Sequence, residues 1–287
     1  MQVPPIVPSF APSELKSASR IAAAQRSRIA WIAFAILIAA LSASLLTNPE
    51  FRHRLGLTAV VTVLFATLAY ALRGVNLTGA AAGLIATFAL MLAGGQQMFG
   101  AVLLVFVLTY LATRFRRQRK NELHIAERGK GRDGAQVLAN IGVAAIAATL
   151  SQLVPWRVPL LAASVAALAE AAADTVSSET GKVLARNARL LTSWKLVPAG
   201  TDGAISASGT ILGIIAAALV CWEAGATNIL NARQAIVAAV AALAGMFIDS
   251  FLGATVEQPG WLSNNGVNLI STANSVVIAG LYLVLSS

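Results

Sequence analysis

The sequence predicts an all-α, polytopic membrane protein with about nine transmembrane helices and a cytoplasmic N-terminus. Of its 287 residues, 57% are hydrophobic and only 11% are charged, and the mean hydropathy is +0.74. A soluble domain of this length rarely carries so few charges. Several apolar runs reach the roughly 20 residues that a helix needs to cross the hydrocarbon core, whereas a β-barrel would show short alternating segments.

Nine apolar runs predict the spans, in chain order 29–46, 55–72, 77–94, 98–113, 135–154, 159–176, 203–222, 233–253 and 265–285. The third and fourth runs flank a Gly-Gly-Gln-Gln turn at 94–97, so a re-entrant pair is an alternative to two full spans. Residues 1–28 are expected to form a cytoplasmic tail, followed by a single transmembrane domain over 29–287. A signal peptide cleaved near residue 43 is the alternative, but the length of the first run favours a retained helix.

The basic residues set the predicted orientation. With the N-terminus inside, the outer loops hold four of the 21 basic residues, Arg52, Arg54, Arg157 and Arg233. Basic residues mark cytoplasmic loops, so the net charge of +9 is explained without a nucleic-acid partner. The basic loop 114–134 is expected to act as a linker or to contact anionic lipid headgroups. We expect a bacterial-type inner or plasma membrane.

A glycine-rich segment precedes the fifth predicted span. It reads Gly-Lys-Gly-Arg-Asp-Gly over 129–134 and is followed by Gln136 and Asn140. The spacing satisfies G-x-G-x-x-G, but no strand precedes it, so the dinucleotide-binding fingerprint fails. Its cations and the helix N-terminus still suit phosphate, with a flexible hinge as the alternative. Arg132, Gly134 and Asn140 are therefore candidate phosphate ligands.

A second polar segment ends the sixth predicted span and opens a motif loop over 177–202. Glu170 and Asp174 are four residues apart, so they share one face of a helix. Two carboxylates on one face repel unless a cation joins them, and Mg²⁺ prefers such oxygen ligands. Thr175 and Ser178 add hydroxyl groups, and Lys182 is suited to a phosphate. The alternative is a pair of acids that holds helices together.

Three further polar clusters fall on the same predicted side of the membrane. Asp202 opens the seventh span, Asp249 ends the eighth, and Asn264, Asn265 and Asn268 open the last. Asp202 and the first two asparagines could also be simple helix caps. Together with the first two clusters, they form the inventory of a metal-assisted phosphoryl or nucleotidyl transfer site.

These segments resemble a family of integral membrane proteins that includes the phytyl-phosphate kinases of vitamin E synthesis. The matching stretches are GRDGAQVLANIG at 131–142, EAAADTVSSETGK at 170–182, GTDGAISASGT at 200–210 and the region from Asp249 to Gln258. The family is distantly similar to dolichol and phytol kinases and to CDP-diacylglycerol synthases. Those relatives usually carry Lys-Thr-x-Glu-Gly where this chain has Gly-Thr-Asp-Gly at 200–203, which leaves the choice of nucleotide open.

The resemblance implies a kinase that transfers a phosphoryl group from a nucleoside triphosphate, with CTP favoured, to a prenyl or phytyl monophosphate. It implies that Asp174 lies at the metal–phosphate centre, and we expect Lys182 and Asp202 to complete the catalytic set. The predicted Mg²⁺ ligands are Glu170, Asp174, Asp202 and Asp249. The predicted phosphate or nucleotide ligands are Arg132, Gly134, Asn140, Thr175, Ser178, Arg186, Asn265 and Asn268.

Two other functions remain open from the sequence. A CTP-dependent lipid cytidylyltransferase would use the same residues but release pyrophosphate. An ion-coupled transporter would distribute its acids through the membrane depth, whereas this chain gathers them at one edge. The expected partners are a prenyl monophosphate, a nucleoside triphosphate and membrane lipids, an oligomer is compatible with the sequence, and the active site is expected on the cytoplasmic face.

Overall fold

The computed structural model describes residues 12–125, 131–185 and 187–286. Within them the chain is helical apart from one small sheet, which confirms the predicted all-α class. The helices are α1 Pro12–Leu45, α2 Pro49–Ala71, α3 Leu77–Arg114, α4 Arg117–Glu122, α5 Gly134–Leu150, α6 Arg157–Leu184, α7 Ala207–Ala226, α8 Ala232–Leu252 and α9 Asn264–Leu285. A turn of π-helix, Gly253–Glu257, extends α8.

The sheet lies between α6 and α7. Its strands are β1 Ala188–Leu190, β2 Leu196–Val197 and β3 Ala204–Ile205. They pair antiparallel in the order β2-β1-β3, with Arg189 opposite both Leu196 and Ile205. Through this pairing, the segment after α6 forms a small sheet and leads to the start of α7.

Seven helices of the described chain are long and apolar enough to cross a membrane: α1 from Ser27, α2, α3, α6, α7, α8 with its π-turn, and α9. Helix α5 is also apolar but has 17 residues, about 25 Å at 1.5 Å per residue. The count of nine stays a prediction, because it requires α5 and both halves of α3 to span the bilayer. The cytoplasmic position of the N-terminus also stays a prediction.

Helix α3 is a hairpin of two helical arms. It bends at Gly95, whose φ of 76° lies in the left-handed region. Tyr110 and Arg114, near its end, donate to the carbonyl oxygen of Leu72, just before its start, at 3.3 and 2.7 Å. The arm from 77 to 94 is about 27 Å long, so the chain returns to Leu72 only if the two arms run antiparallel. The predicted turn at 94–97 lies at the tip.

Helix α6 is the centre of the bundle, because it packs against α3, α5, α7, α8 and α9. Every side chain from Ala162 to Ala173 is buried, and most of them are alanines. Small residues let neighbouring helices approach closely. At the α6–α7 crossing, a Cβ atom on Gly209 would lie 2.6 Å from the carbonyl oxygen of Ser177, so this position requires glycine.

Three boundaries differ from the predicted ones. Helix α1 begins at Pro12, so the part of the expected tail after that residue is helical, and residues 1–11 lie outside the described chain. The basic loop 114–134 contains the short helix α4. Helix α6 continues to Leu184, so the first third of the expected motif loop is helical and its side chains are held on a rigid element.

Candidate active site

A polar cavity of about 370 Å³ opens where the ends of α6 and α8 meet the starts of α5, α7 and α9. The loop between β2 and β3 closes one of its sides. It brings together ten of the predicted site residues, namely Arg132, Asn140, Asp174, Thr175, Ser178, Lys182, Asp202, Asp249, Asn265 and Asn268. Segments far apart in sequence therefore converge as predicted, although the chemical role of each residue stays a prediction.

Asp174 of α6 and Asp249 of α8 form the acidic centre of the polar cavity. Both side chains line the cavity, and they lie close enough to interact electrostatically. The hydroxyl of Ser271 donates to Asp249 Oδ2 at 3.2 Å, and Asn268 Nδ2 reaches the same oxygen at 3.2 Å once its amide is oriented to donate. Among the described residues, no lysine or arginine forms an ion pair with either carboxylate.

Asp202 enters the same cavity on a loop that docks against the π-turn. Gly203 has a φ of 74°, and a Cβ atom there would lie 2.6 Å from Ala254 Cα. Only glycine allows this close approach without a backbone shift. The contact holds Asp202 near Glu257 of the π-turn, whose carboxylate also lines the cavity. The Gly-Thr-Asp-Gly segment thus works as a tight turn that presents an acid.

Arg132 is fixed through its backbone to the end of α2. Its N–H donates to Gly74 O at 3.0 Å, and its own carbonyl accepts from Asn76 N at 2.9 Å. Gly131 has a φ of 101°, and a Cβ atom there would lie 2.7 Å from the carbonyl carbon of Val75. The Arg132 guanidinium then reaches α6, where Nη2 lies 3.4 Å from Thr175 Oγ1. The described part of the glycine-rich segment, from Gly131 onward, is therefore anchored, and the hinge alternative loses support there.

A buried ion network holds Lys182 at the cavity. Glu179 Oε1 accepts from Lys182 Nζ at 2.5 Å, and Glu179 Oε2 accepts from Lys120 Nζ at 2.6 Å. Lys120 is 1% exposed and also donates to the carbonyl oxygens of Ala112 and Thr113. Lys120 was expected in a basic loop that acts as a linker or contacts lipid headgroups. It instead ties α4 to α6, and it carries no sequence signal beyond its place in a run of basic residues.

The donor set fits a divalent cation with oxygen ligands only in part. Within the described residues, no group of three or more His, Cys, Asp and Glu side chains is placed to hold a metal ion. The protein itself therefore offers the Asp174–Asp249 pair, with Asp202 and Glu257 on the cavity wall. Mg²⁺ commonly takes one or two carboxylates and completes its shell with water and substrate phosphates, so the pair is sufficient for that mode of binding.

Three predicted site residues do not line the polar cavity. Glu170 lies one turn deeper in α6, is 1% exposed, and its Oε1 has no hydrogen-bond partner among the described residues. Direct metal binding by Glu170 therefore has no geometric support. Gly134 packs on α3, where its N–H donates to Thr78 Oγ1 at 3.1 Å. Arg186 lies outside the described residues.

Helices α7 and α9 are capped by serines rather than by the predicted polar candidates. Ser206 Oγ accepts from Gly209 N at the start of α7, and Ser263 Oγ accepts from Gly266 N at the start of α9. Asp202, Asn264 and Asn265 are thus not the caps of these helices, and all three face the polar cavity. Glu257 was not among the predicted site residues, but it also lines the polar cavity.

Residues 60–276 match the family described as integral membrane protein DUF92. That match covers well over half of the chain and includes every described residue of the polar cavity. The chain belongs to this family. The predicted resemblance to an integral membrane family is therefore confirmed.

Proteins similar to this chain include one from Synechocystis sp. and two from Arabidopsis thaliana. An uncharacterised membrane protein of Synechocystis sp. is 30% identical over 192 residues, 64% of this chain and 73% of that protein. Protein VTE6, chloroplastic, of Arabidopsis thaliana is 29% identical over 216 residues, 72% of this chain and 64% of that protein. Protein PGR of the same plant is 28% identical over 289 residues, 83% of this chain and 99% of that protein. No solved structure matches.

Proposed function

We propose that this DUF92 protein is a membrane kinase that transfers the γ-phosphoryl group of a nucleoside triphosphate, with CTP favoured, to a prenyl monophosphate. One observation carries the proposal: Asp174 and Asp249 lie close together in the lining of the polar cavity without a basic ion-pair partner among the described residues. The resemblance to phytyl-phosphate kinases supports the choice of acceptor.

The cavity supplies what phosphoryl transfer needs, which is positioning and charge neutralisation. Arg132 and Lys182 lie on its wall, where their charges would steady the donor phosphates. The side-chain amide of Asn265, at the start of α9, would donate hydrogen bonds to phosphate or nucleotide, while the amide of Asn268 donates to Asp249 and orients that carboxylate. A Mg²⁺ ion held by Asp174 and Asp249 would neutralise further phosphate charge.

The proposed step is balanced without a further reactant. An oxygen of the acceptor phosphate forms a bond to the γ-phosphorus, while the bond from that phosphorus to the β–γ bridging oxygen breaks. The products are a prenyl diphosphate and a nucleoside diphosphate. Because the attacking oxygen is already anionic, the step requires orientation rather than a strong general base.

Product analysis tests the proposal. Purified protein in lipid nanodiscs is incubated with Mg²⁺, a prenyl monophosphate and CTP, ATP, GTP or UTP in turn, and we expect a prenyl diphosphate and a nucleoside diphosphate. Release of pyrophosphate with a CDP-linked lipid would instead identify a cytidylyltransferase. Ion flux in proteoliposomes that requires no nucleotide, together with the absence of any lipid product, would identify a transporter.

A matched pair of variants ties the activity to the site. Asp174→Asn removes one carboxylate of the Asp174–Asp249 pair, and we expect turnover to fall at least about 100-fold with the fold intact. Asp133→Asn makes the same chemical change at the N-cap of α5, where Asp133 accepts from Gln136 N at 2.9 Å and Asn caps equally well. Full activity of Asp174→Asn would refute the assignment.

A further inference from the structure

A second cavity, here called the apolar cleft, lies between α2, the two arms of α3, α5 and α6. Its volume is about 210 Å³, and its walls include the rings of Phe65 and Phe106 and small residues such as Ala69 and Gly83. The two phenylalanine rings pack edge-on at 5.3 Å between centroids, which gives that wall a rigid surface. Neither the motifs nor the predicted site residues pointed to this cleft, apart from Arg132 and Asn140 at its mouth.

The mouth of the apolar cleft is strongly basic. Arg73, Arg114, Arg117, Lys120 and Arg132 line it, whereas no aspartate or glutamate does among the described residues. Lys120 is neutralised by Glu179, but the four arginines form no ion pair within the described chain. Arg114 is also held in place, since it donates to Leu72 O at 2.7 Å and lies over the Tyr110 ring at 4.4 Å. An apolar slot under unpaired arginines suits an anionic headgroup with a hydrocarbon tail.

The apolar cleft meets the polar cavity at its mouth. Arg132 and Asn140 line both, so a phosphate bound to Arg132 can face the Asp174–Asp249 pair while its tail lies in the cleft. The lining residues extend from Gly79 to Thr87 on one arm of α3 and from Arg114 to Val102 on the other, about 12 and 18 Å along the helices. These depths are close to one leaflet, about half of the roughly 30 Å hydrocarbon core.

We propose that the apolar cleft binds the hydrocarbon chain of a single-chain prenyl monophosphate, with its phosphate held by Arg73, Arg114, Arg117 and Arg132. The proposal rests on the proposed kinase function for the identity of the acceptor. It adds a binding site, the residues that grip the headgroup, and a physical limit on chain length set by the depth of the cleft. A single chain follows from the proposed acceptor, and a two-chain phospholipid is the competing occupant.

The first arm of α3 allows the depth to be tested in steps. Ala80 lies next to the mouth, Gly83 about 4.5 Å deeper and Thr87 about 6 Å deeper again. All three line the cleft. At Gly83 a Cβ atom would meet Val137 Cγ1 at 3.8 Å, which is ordinary contact, so a larger side chain extends into the cleft rather than into the backbone. Ala81 is exposed on the same helix and does not line the cleft, so Ala81→Leu is the matched control.

The experiment measures binding without nucleotide and turnover with it, for prenyl monophosphates of five, ten, fifteen and twenty carbons. We expect Ala80→Leu to weaken binding of the twenty-carbon chain about tenfold or more, while the five-carbon chain binds as in the unaltered protein. Gly83→Leu should tolerate longer chains than Ala80→Leu, and Ala81→Leu should behave as the unaltered protein. Nucleotide-induced thermal stabilisation of each variant reports that it is folded.

The outcomes separate the two proposals. If all three folded variants bind the four chain lengths with the same relative affinities, the proposal for the apolar cleft is wrong, while the proposed kinase function is unaffected. Graded binding without any turnover would support the cleft and overturn the kinase. Phosphatidic acid serves as the two-chain probe: if it binds at least as tightly as the twenty-carbon prenyl phosphate and responds to Ala80→Leu, the cleft takes a phospholipid and the proposal is wrong.

Discussion

The polar cavity and the apolar cleft lie side by side and share Arg132 and Asn140, but the charges of their lining residues differ. The polar cavity is lined by Asp174, Asp202, Asp249 and Glu257, whereas the described lining of the cleft contains bases and no acid. One end of the helical bundle therefore holds two electrostatic environments. On α6 they are less than one turn apart, because Ala171 lines the cleft and Asp174 lines the polar cavity. We expect phosphate groups to bind where the polar cavity and the apolar cleft meet, at Arg132 and Asn140.

The largest effect is expected where the acids lack counter-ions. Asp249→Asn should reduce turnover at least about 100-fold, because it removes half of the carboxylate pair. Prenyl phosphate binding measured without nucleotide should stay within a factor of two, since Asp249 does not line the cleft. A matching loss of lipid binding would contradict the separation of the two regions. Asp133→Asn is the control for the loss of one charge.

The ion network that joins the two regions should matter most for stability. Glu179→Gln leaves Lys120 buried without its counter-ion, and removing one partner of a buried pair typically costs about 3–5 kcal/mol. We expect a clearly lower thermal unfolding midpoint in detergent. Glu122→Gln is the matched control, because its pair with Arg119 is exposed and such changes stay within about 0.5 kcal/mol. Equal midpoints for the two variants would show that the network is not structural.

The loop that presents Asp202 should depend on glycine for reasons of space. Gly203→Ala combines a left-handed backbone with contact against Ala254, and we expect a loss of about 1–3 kcal/mol with reduced turnover. Gly260 has a similar φ of 80° but nothing within 4 Å of an added Cβ, so Gly260→Ala measures backbone strain alone. Thermal unfolding of both variants separates the two causes. If they lose equal stability, the Gly203–Ala254 contact is unimportant.

The smallest effect is expected at the basic mouth. Arg117→Gln removes one of four arginines. Because Arg117 is exposed, we expect its hydrogen bond to phosphate to be worth about 1–1.4 kcal/mol, which corresponds to about a five- to tenfold change in affinity. We expect a higher KM for the prenyl phosphate, an unchanged kcat and an unchanged KM for the nucleotide. Arg119→Gln changes a neighbouring arginine that does not line the cleft and should leave all three constants unaltered. A raised nucleotide KM in Arg117→Gln would assign this residue to the polar cavity instead.

The polar cavity was largely predictable because each segment that lines it has polar residues at the end of an apolar run. A carboxylate at the end of an apolar helix is costly in lipid, so Asp174 and Asp249 stood out, and the alternating direction of the helices placed them at one boundary. The same reasoning included Glu170, which lies a turn too deep. It missed the structural role of Glu179, because a charge near a helix end looks the same whether it binds a ligand or a buried lysine.

Three properties could be predicted from the sequence: the helical membrane class, the positions of the apolar runs and the gathering of acids at one side. Those properties follow from local composition, since each helix satisfies its own backbone and each polar residue has a cost in hydrocarbon. Three features could not be read from local sequence: the burial of Lys120, the docking of the Asp202 loop against the π-turn, and the apolar cleft. Such features depend on contacts between distant segments, and glycine, alanine and phenylalanine look the same in a ligand-binding wall as in ordinary helix packing.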